Sequence, residues 1–140
     1  MPTHLRSGKT INLDRPDIDE QDMEALIKLG SLDLLKMLLA KGVSAKRTDP
    51  MGFTPLMYAI EKRKWDIVMY LLQNTDSGVN MIAHTRLETS GETSALLLAL
   101  RMAPIEVCDA ILKAGGDIDL RYKGGYTAAM ILFQERSMYN

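Results

Sequence analysis

A short stretch near the N-terminus carries residue types that bind phosphate in many proteins. Residues 7–10 read SGKT, which matches the end of the glycine-rich loop that holds nucleotide phosphates. The loop also requires a glycine five residues before Gly8, where this chain has Thr3, and no strand-like run precedes it. The sequence therefore predicts no nucleotide site, and residues 1–16 are interpreted as a flexible N-terminal tail.

The histidines and the cysteine are the next candidates for chemistry. His4 and His84 are the only histidines, and neither stands beside a second ligand at the spacing of a metal site. Cys108 is the only cysteine, so an intrachain disulfide and a site built from several thiolates are both excluded. It lies in the apolar run IEVCDAIL, which predicts a small buried side chain and not a nucleophile.

An acidic cluster precedes the first apolar run of the chain. Its members are Asp14, Asp17, Asp19, Glu20 and Asp22. The glycine and the terminal glutamate of a calcium loop are missing, so the cluster is interpreted as the negatively charged start of a helix. We expect no catalytic residue, no metal and no cofactor, and the sequence predicts that the protein is not an enzyme.

Composition sets the broad class of the protein. Of 140 residues, 46% are hydrophobic and 25% charged, as in an ordinary globular protein, and the net charge is −1. Binding to nucleic acid through counterion release is therefore not expected. No apolar run approaches the roughly 20 residues needed to span a bilayer, so no membrane insertion is expected. Without an apolar core after its basic residues, the N-terminus does not resemble a secretory signal. We expect a cytoplasmic monomer, with the nucleus as an alternative location inside the cell.

The elements that position these residues repeat along the chain. Three segments carry the same apolar run followed by a glycine-containing loop: LLKMLLAKGVS, IVMYLLQNTDSGVN and VCDAILKAGGDID. Equivalent positions in the shorter run before each segment are Leu26, Ala59 and Ala99, which are separated by 33 and 40 residues. A further 33 residues lead to Leu132, inside a fourth copy. The repeat length is therefore 33, with seven additional residues between the second and third units.

The second unit reads DPMGFTPLMYAI and then WDIVMYLL. With this motif it resembles the ankyrin repeat family, and Gly52 stands where the family needs a positive φ angle. Thr54 is predicted to cap a helix that begins at Pro55. Met57 replaces the usual histidine, so one hydrogen bond between helix and turn is expected to be missing. The fourth unit stops before a second helix, so it is either a C-terminal cap or part of a longer array.

The resemblance implies an all-α solenoid of stacked helix–turn–helix units joined by short β-turns or hairpins. We expect the repeat domain to span residues 17–140. Its predicted units are about 17–48, 49–80, 89–121 and 122–140, with an enlarged loop at 81–91.

The resemblance also implies a function. Family members are usually non-catalytic interaction modules, so we expect an adaptor or scaffold that binds a protein through inter-repeat turns and the concave inner-helix face. A dedicated inhibitor or regulator of a single enzyme is the alternative. Transferred by position, the predicted partner-binding residues are Met51, Phe53, Glu61, Lys62, Met81, Ile82, Arg86, Arg101, Met102, Arg121, Lys123 and Tyr126.

These site predictions have structural alternatives. Phe53 and Tyr126 could pack against the neighbouring turn, and the charged residues could form a solvated face. The enlarged loop is either a finger that contacts the partner or a tolerated surface insertion.

Overall fold

Hydroxyl side chains begin three of the helices. Ser31, Thr54 and Ser94 each accept a hydrogen bond from the backbone N–H three residues later, at 3.3, 3.3 and 3.2 Å. Pro55 follows Thr54 at the start of its helix, where a missing N–H costs nothing. Pro104 stands immediately before the helix of the Cys108 run. The predicted roles of Thr54 and Pro55 are confirmed.

The computed structural model describes residues 3–4, 10–11, 20–84 and 91–139. Within them the helices are α1 (Glu20–Leu29), α2 (Leu32–Ala40), α3 (Pro55–Glu61), α4 (Trp65–Asn74), α5 (Ala95–Met102), α6 (Ile105–Lys113) and α7 (Ala128–Tyr139). The strands are β1 (Thr3–His4), β2 (Thr10–Ile11), β3 (Ala83–His84) and β4 (Glu92–Thr93).

The two strand pairs are both antiparallel. β1 pairs with β2, with Thr3 opposite Ile11. β3 pairs with β4, with Ala83 opposite Thr93 and His84 opposite Glu92. The other residues of the predicted tail lie outside the described part of the chain, so its flexibility stays a prediction.

The helices form two layers. An inner layer consists of α1, α3, α5 and α7, each in contact with the next. The outer helices α2, α4 and α6 pack on α1, α3 and α5 respectively, and α4 also packs on α6. Leu26, Ile60, Leu71 and Ile111 are fully buried between these layers. This arrangement confirms the predicted all-α solenoid of stacked helix–turn–helix units.

Two left-handed backbone positions show the repeat directly. Gly30 (φ 75°) follows α1, and Arg63 (φ 58°), 33 residues later, follows α3. Both residues reverse the chain between an inner helix and its outer partner, which is why glycine is favoured there. Arg63 holds the same conformation with a side chain, a less common arrangement.

Gly52 lies where two consecutive turns approach each other. Its φ is 89°, as predicted for this position. A side chain at Gly52 would place its first carbon 3.1 Å from the carbonyl oxygen of Ile82 and 3.2 Å from the Cα atom of Ala83. Both the conformation and the close approach therefore require glycine here.

No helix in the described residues is long and apolar enough to cross a bilayer. The longest of them, α7, has 12 residues.

Candidate protein-interaction surface

The second turn is held together by one carboxylate. Asp49 Oδ1 accepts hydrogen bonds from the backbone N–H groups of Met51 and Phe53, both at 2.9 Å. Its Oδ2 accepts a hydrogen bond from the hydroxyl of Tyr58 on α3. Burial, together with this bond to Asp49, raises the pKa of the Tyr58 hydroxyl. Tyr58 thus ties helix to turn, one residue after the Met57 position that cannot do so.

Neighbouring turns are joined to one another by hydrogen bonds. The N–H of His84 in β3 donates to the carbonyl oxygen of Met51 at 2.8 Å. On the other side of the hairpin, the carboxylate of Glu92 in β4 accepts from the N–H of Lys123. We call the connected segments 49–53, 81–84, 91–93 and 121–126 the turn row. Its backbone is fixed from one unit to the next.

The last turn projects its side chains from this fixed backbone. The N–H of Tyr122 donates to the carbonyl oxygen of Tyr126 at 2.7 Å, and the guanidinium of Arg121 donates to the carbonyl oxygen of Gly125 at 2.9 Å. Arg121, Lys123 and Tyr126 are all exposed. An aromatic ring and two cations are therefore exposed in this turn of the turn row.

The second turn and the hairpin are more buried than the last turn. The ring of Phe53 packs on the ring of Tyr58, with the ring centroids 5.6 Å apart, and the Phe53 side chain also packs against the core. Met81 also packs on the core, while Met51 and Ile82 are half-buried. Phe53 and Met81 therefore contribute to packing, whatever else they contact.

Part of the enlarged loop has no described position. The β3–β4 ladder fixes both ends of the insertion, at Ala83–His84 and Glu92–Thr93. Arg86, a predicted binding residue, falls between them and lies outside the described residues. The prediction of a partner-contacting finger stays a prediction.

Charged residues at the ends of the inner helices pair across units. We call the predicted binding residues Glu61, Lys62, Arg101 and Met102 the inner-helix strip. The ammonium of Lys62 lies 3.7 Å from the carboxylate of Glu24 on α1. The Arg101 guanidinium binds the Glu135 carboxylate on α7 with two N–H groups, one of them at 3.2 Å. Lys62 and Arg101 therefore link neighbouring units.

The two other residues of the inner-helix strip, Met102 and Glu61, differ in their degree of burial. Met102 is half-buried against the core, and its carbonyl oxygen accepts a hydrogen bond from Arg63 at 3.1 Å. Glu61 is exposed at the end of α3.

Three polar residues that the sequence analysis did not single out connect the loops. Asp49 organises the second turn, as described above. Asn80 donates to the carbonyl oxygen of Gly115 at 2.9 Å and accepts from the N–H of Asp117 at 2.8 Å. The hydroxyl of Tyr122 lies 2.6 Å from that of Ser94, and burial raises the Tyr122 pKa. The available signal was position: Asp49 stands three residues before Gly52, and Asn80 follows the outer-helix loop.

The chemically reactive candidates do not come together. Cys108 is buried, and burial raises the pKa of its thiol, as expected for a structural cysteine. His84 is exposed in β3. Among the described residues, no group of three or more His, Cys, Asp or Glu side chains could hold a metal ion.

The sequence matches the model of a known protein family. A model of ankyrin repeats, in three copies, matches residues 23–132, which is more than half of the chain. No curated protein matches the sequence.

Proposed function

The chain belongs to the ankyrin repeat family, whose members are generally protein–protein interaction modules, and we propose that it is a non-catalytic adaptor or scaffold. In this proposal the turn row makes the main contact with a protein partner and the adjoining inner helices support it. The protein acts as a monomer inside the cell, in the cytoplasm or the nucleus. Its single free cysteine is compatible with a reducing compartment.

The observation that carries the proposal is the contrast between backbone and side chains in the last turn. The backbone is fixed by hydrogen bonds at Tyr122 and Lys123, so little conformational entropy is lost when a partner binds. Tyr126 and Lys123 nonetheless extend into solvent. Tyrosine and arginine are favoured anchors of protein interfaces, and Arg121 lies in the same turn.

The ion pairs of the inner-helix strip favour the turn row as the main binding surface. Lys62 and Arg101 already bind carboxylates on neighbouring helices, so a partner would have to compete for them. We therefore assign the partner's main contact to the turn row.

The test is affinity capture from lysate of the source cells, comparing the wild-type chain with Tyr126→Asp. Tyr126 is exposed, so this variant should fold, which circular dichroism would check. Phe53→Asp is a poorer choice because Phe53 packs on Tyr58. Met37→Asp, at a comparably exposed position on α2, is the matched control.

We expect a protein that is retained by the wild type and by Met37→Asp, and at least about tenfold less by Tyr126→Asp. Equal retention by all three would move the binding surface elsewhere, with the 81–91 loop as the next candidate. No retained protein at all would contradict the adaptor proposal.

Inhibition of a single enzyme remains the second candidate because of the hairpin. The β3–β4 ladder and the hydrogen bond from His84 to Met51 fix both described ends of the enlarged loop. This function predicts a one-to-one complex in which the captured enzyme loses activity. A captured enzyme that keeps its activity in the complex would exclude it.

A further inference from the structure

The two clefts between the outer helices are built from equivalent positions of the repeat. The first cleft lies between α2 and α4, and the side chains that line it include Lys36, Leu39, Ala40, Tyr70 and Asn74. The second cleft lies between α4 and α6, and the corresponding side chains, in the same order, are Met69, Leu72, Gln73, Ala110 and Ala114. These pairs are separated by 33 or 40 residues, the spacings of the repeat itself. The two clefts can therefore be compared position by position.

The first cleft contains a cation that the chain itself supplies. The ammonium of Lys36 on α2 lies 5.0 Å from the centroid of the Tyr70 ring on α4. An ammonium over the face of an aromatic ring is attracted by the electrons of the ring. The positive charge in the first cleft thus has its partner within the chain.

The second cleft has neither the cation nor the ring. Met69 stands at the position of Lys36, and Ala110 stands at the position of Tyr70. Both Met69 and Ala110 pack against the core, so the floor of the cleft is apolar. Its volume is about 360 Å³, within the range of about 300–1,000 Å³ that is typical of ligand pockets. The second cleft therefore has room for a side chain from outside.

One carboxylate borders this apolar floor without a cation beside it. The charged side chains that line the second cleft are Glu106, Asp109 and Lys113, all on α6. The ammonium of Lys113 lies 2.9 Å from the carboxylate of Asp109, so these two charges offset each other. Glu106 is exposed, and it forms no ion pair with another described residue. The charge that remains in the second cleft is negative.

We propose that the second cleft binds an arginine side chain of a protein partner, with its aliphatic stem on Met69 and Ala110 and its guanidinium at Glu106. Arginine covers apolar surface with its stem while its charged end stays at the edge of the water. The guanidinium is weakly hydrated and binds a carboxylate through two parallel hydrogen bonds. The partner's arginine supplies the cation that Lys36 supplies in the first cleft.

The second cleft is separate from the turn row, because the residues that line it belong to α4, α6 and the end of α6. A protein held there is a second partner, in addition to the one that the turn row binds. An adaptor that joins two proteins needs two such surfaces. The inference therefore goes beyond the proposed function, which assigns one partner to the turn row.

The probe is the peptide acetyl-Gly-Leu-Arg-Leu-Gly-amide, and the reference is the same peptide with citrulline in place of arginine. Citrulline keeps the length of the side chain and removes its charge. Each peptide is titrated into the isotope-labelled full chain, and the amide chemical shifts are followed by NMR. For the arginine peptide we expect saturable shift changes in α4 and α6 beside the second cleft, with a dissociation constant on the order of 1 mM. The citrulline peptide should give no saturable change.

Variants of the full chain locate the binding. Glu106→Gln removes the carboxylate at an exposed position and should weaken binding of the arginine peptide about tenfold. Met69→Lys gives the second cleft a cation of its own, as Lys36 does in the first, and should prevent binding. Asp66→Asn is the matched control, because Asp66 holds the position of Glu106 on α4 but does not line the second cleft. Circular dichroism checks that each variant is folded.

Three results would overturn the proposal. They are equal shift changes with both peptides, shift changes that do not include α4 and α6, and full binding by both Glu106→Gln and Met69→Lys. Equal weakening by Asp66→Asn and Glu106→Gln would reveal a general effect of charge and would overturn it as well. Tyr126→Asp should bind the arginine peptide as the wild type does. Failure of this inference is therefore distinguishable from failure of the proposed function.

Discussion

The turn row and the inner-helix strip run along the same repeat units, but their side chains have different roles. In the turn row, hydrogen bonds from Asp49 and Glu92 hold the backbone, and side chains such as Tyr126 extend into solvent. In the inner-helix strip the side chains themselves hold the units together, as in the pair of Arg101 and Glu135. An exposed position in a repeat is therefore a better candidate for binding when its side chain does not hold a neighbouring unit in place.

The largest expected effect is on the second turn. Asp49→Ala removes three hydrogen bonds and leaves the half-buried Tyr58 hydroxyl without its acceptor, so the free energy of unfolding should fall by about 2–3 kcal/mol. Urea denaturation measures the loss. Asp119→Ala, at an exposed loop position, is the control and should change stability by less than about 0.5 kcal/mol. Equal losses in the two variants would contradict a special role for Asp49.

A smaller effect is expected at the last turn. Tyr122→Phe removes the buried hydrogen bond to Ser94, whose hydroxyl also caps α5, and should cost about 1 kcal/mol. Tyr126→Phe is the matched control, because Tyr126 is exposed and Tyr122 is buried. Thermal unfolding of both variants distinguishes the two tyrosines. If the control were destabilised as much, the division between structural and exposed residues in this turn would be wrong.

A still smaller loss of stability is expected in the inner-helix strip. Arg101→Gln breaks a partly buried ion pair between α5 and α7, with an expected cost of about 0.5–1 kcal/mol that decreases at high salt. A double-mutant cycle with Glu135→Gln isolates the pair. We expect no comparable loss of affinity for a captured partner. A variant that keeps full stability and loses the partner would transfer the binding role from the turn row to the strip.

The smallest effect is expected between the loops of the first two units. A hydrogen bond and an ion pair with Lys46, 3.0 Å away, lower the pKa of the Asp76 carboxyl. Because the Asp76 pKa is lower in the folded than in the unfolded chain, the charged carboxylate stabilises the fold at pH values above the ordinary carboxyl pKa. This stabilisation is lost as the pH falls through the lowered pKa. Lys46→Gln should raise the Asp76 pKa in an NMR titration, with little change in overall stability since both side chains are exposed. An unchanged pKa would show that the pair does not form.

Much of the fold was predictable because its signals are local. The Thr54 cap, Pro55 and the positive φ of Gly52 each follow from residues close in sequence, and the 33-residue spacing follows from the recurrence of such local patterns. The candidate surface was less predictable because its determining contacts are long-range. Arg101 meets Glu135 across 34 residues, and Asn80 meets Asp117 across 37.

The degree of burial in the turns was also hard to predict. Phe53 and Met81 occupy turn positions that project in the family, yet both pack on the core. Whether a turn side chain points outward depends on the neighbouring unit, as the contact of Phe53 with Tyr58 illustrates. The sequence pattern therefore indicates which residues lie in the turns, but not which of their side chains are exposed.

The most direct test of the central claim is a hydrogen-exchange footprint of the captured partner on the full chain. If the turn row makes the main contact, amides of the last turn around Lys123 and Tyr126 should exchange more slowly in the complex, together with those near His84. The outer helices α2, α4 and α6 should be unchanged. Protection confined to those helices, with the turn row unaffected, would contradict the account.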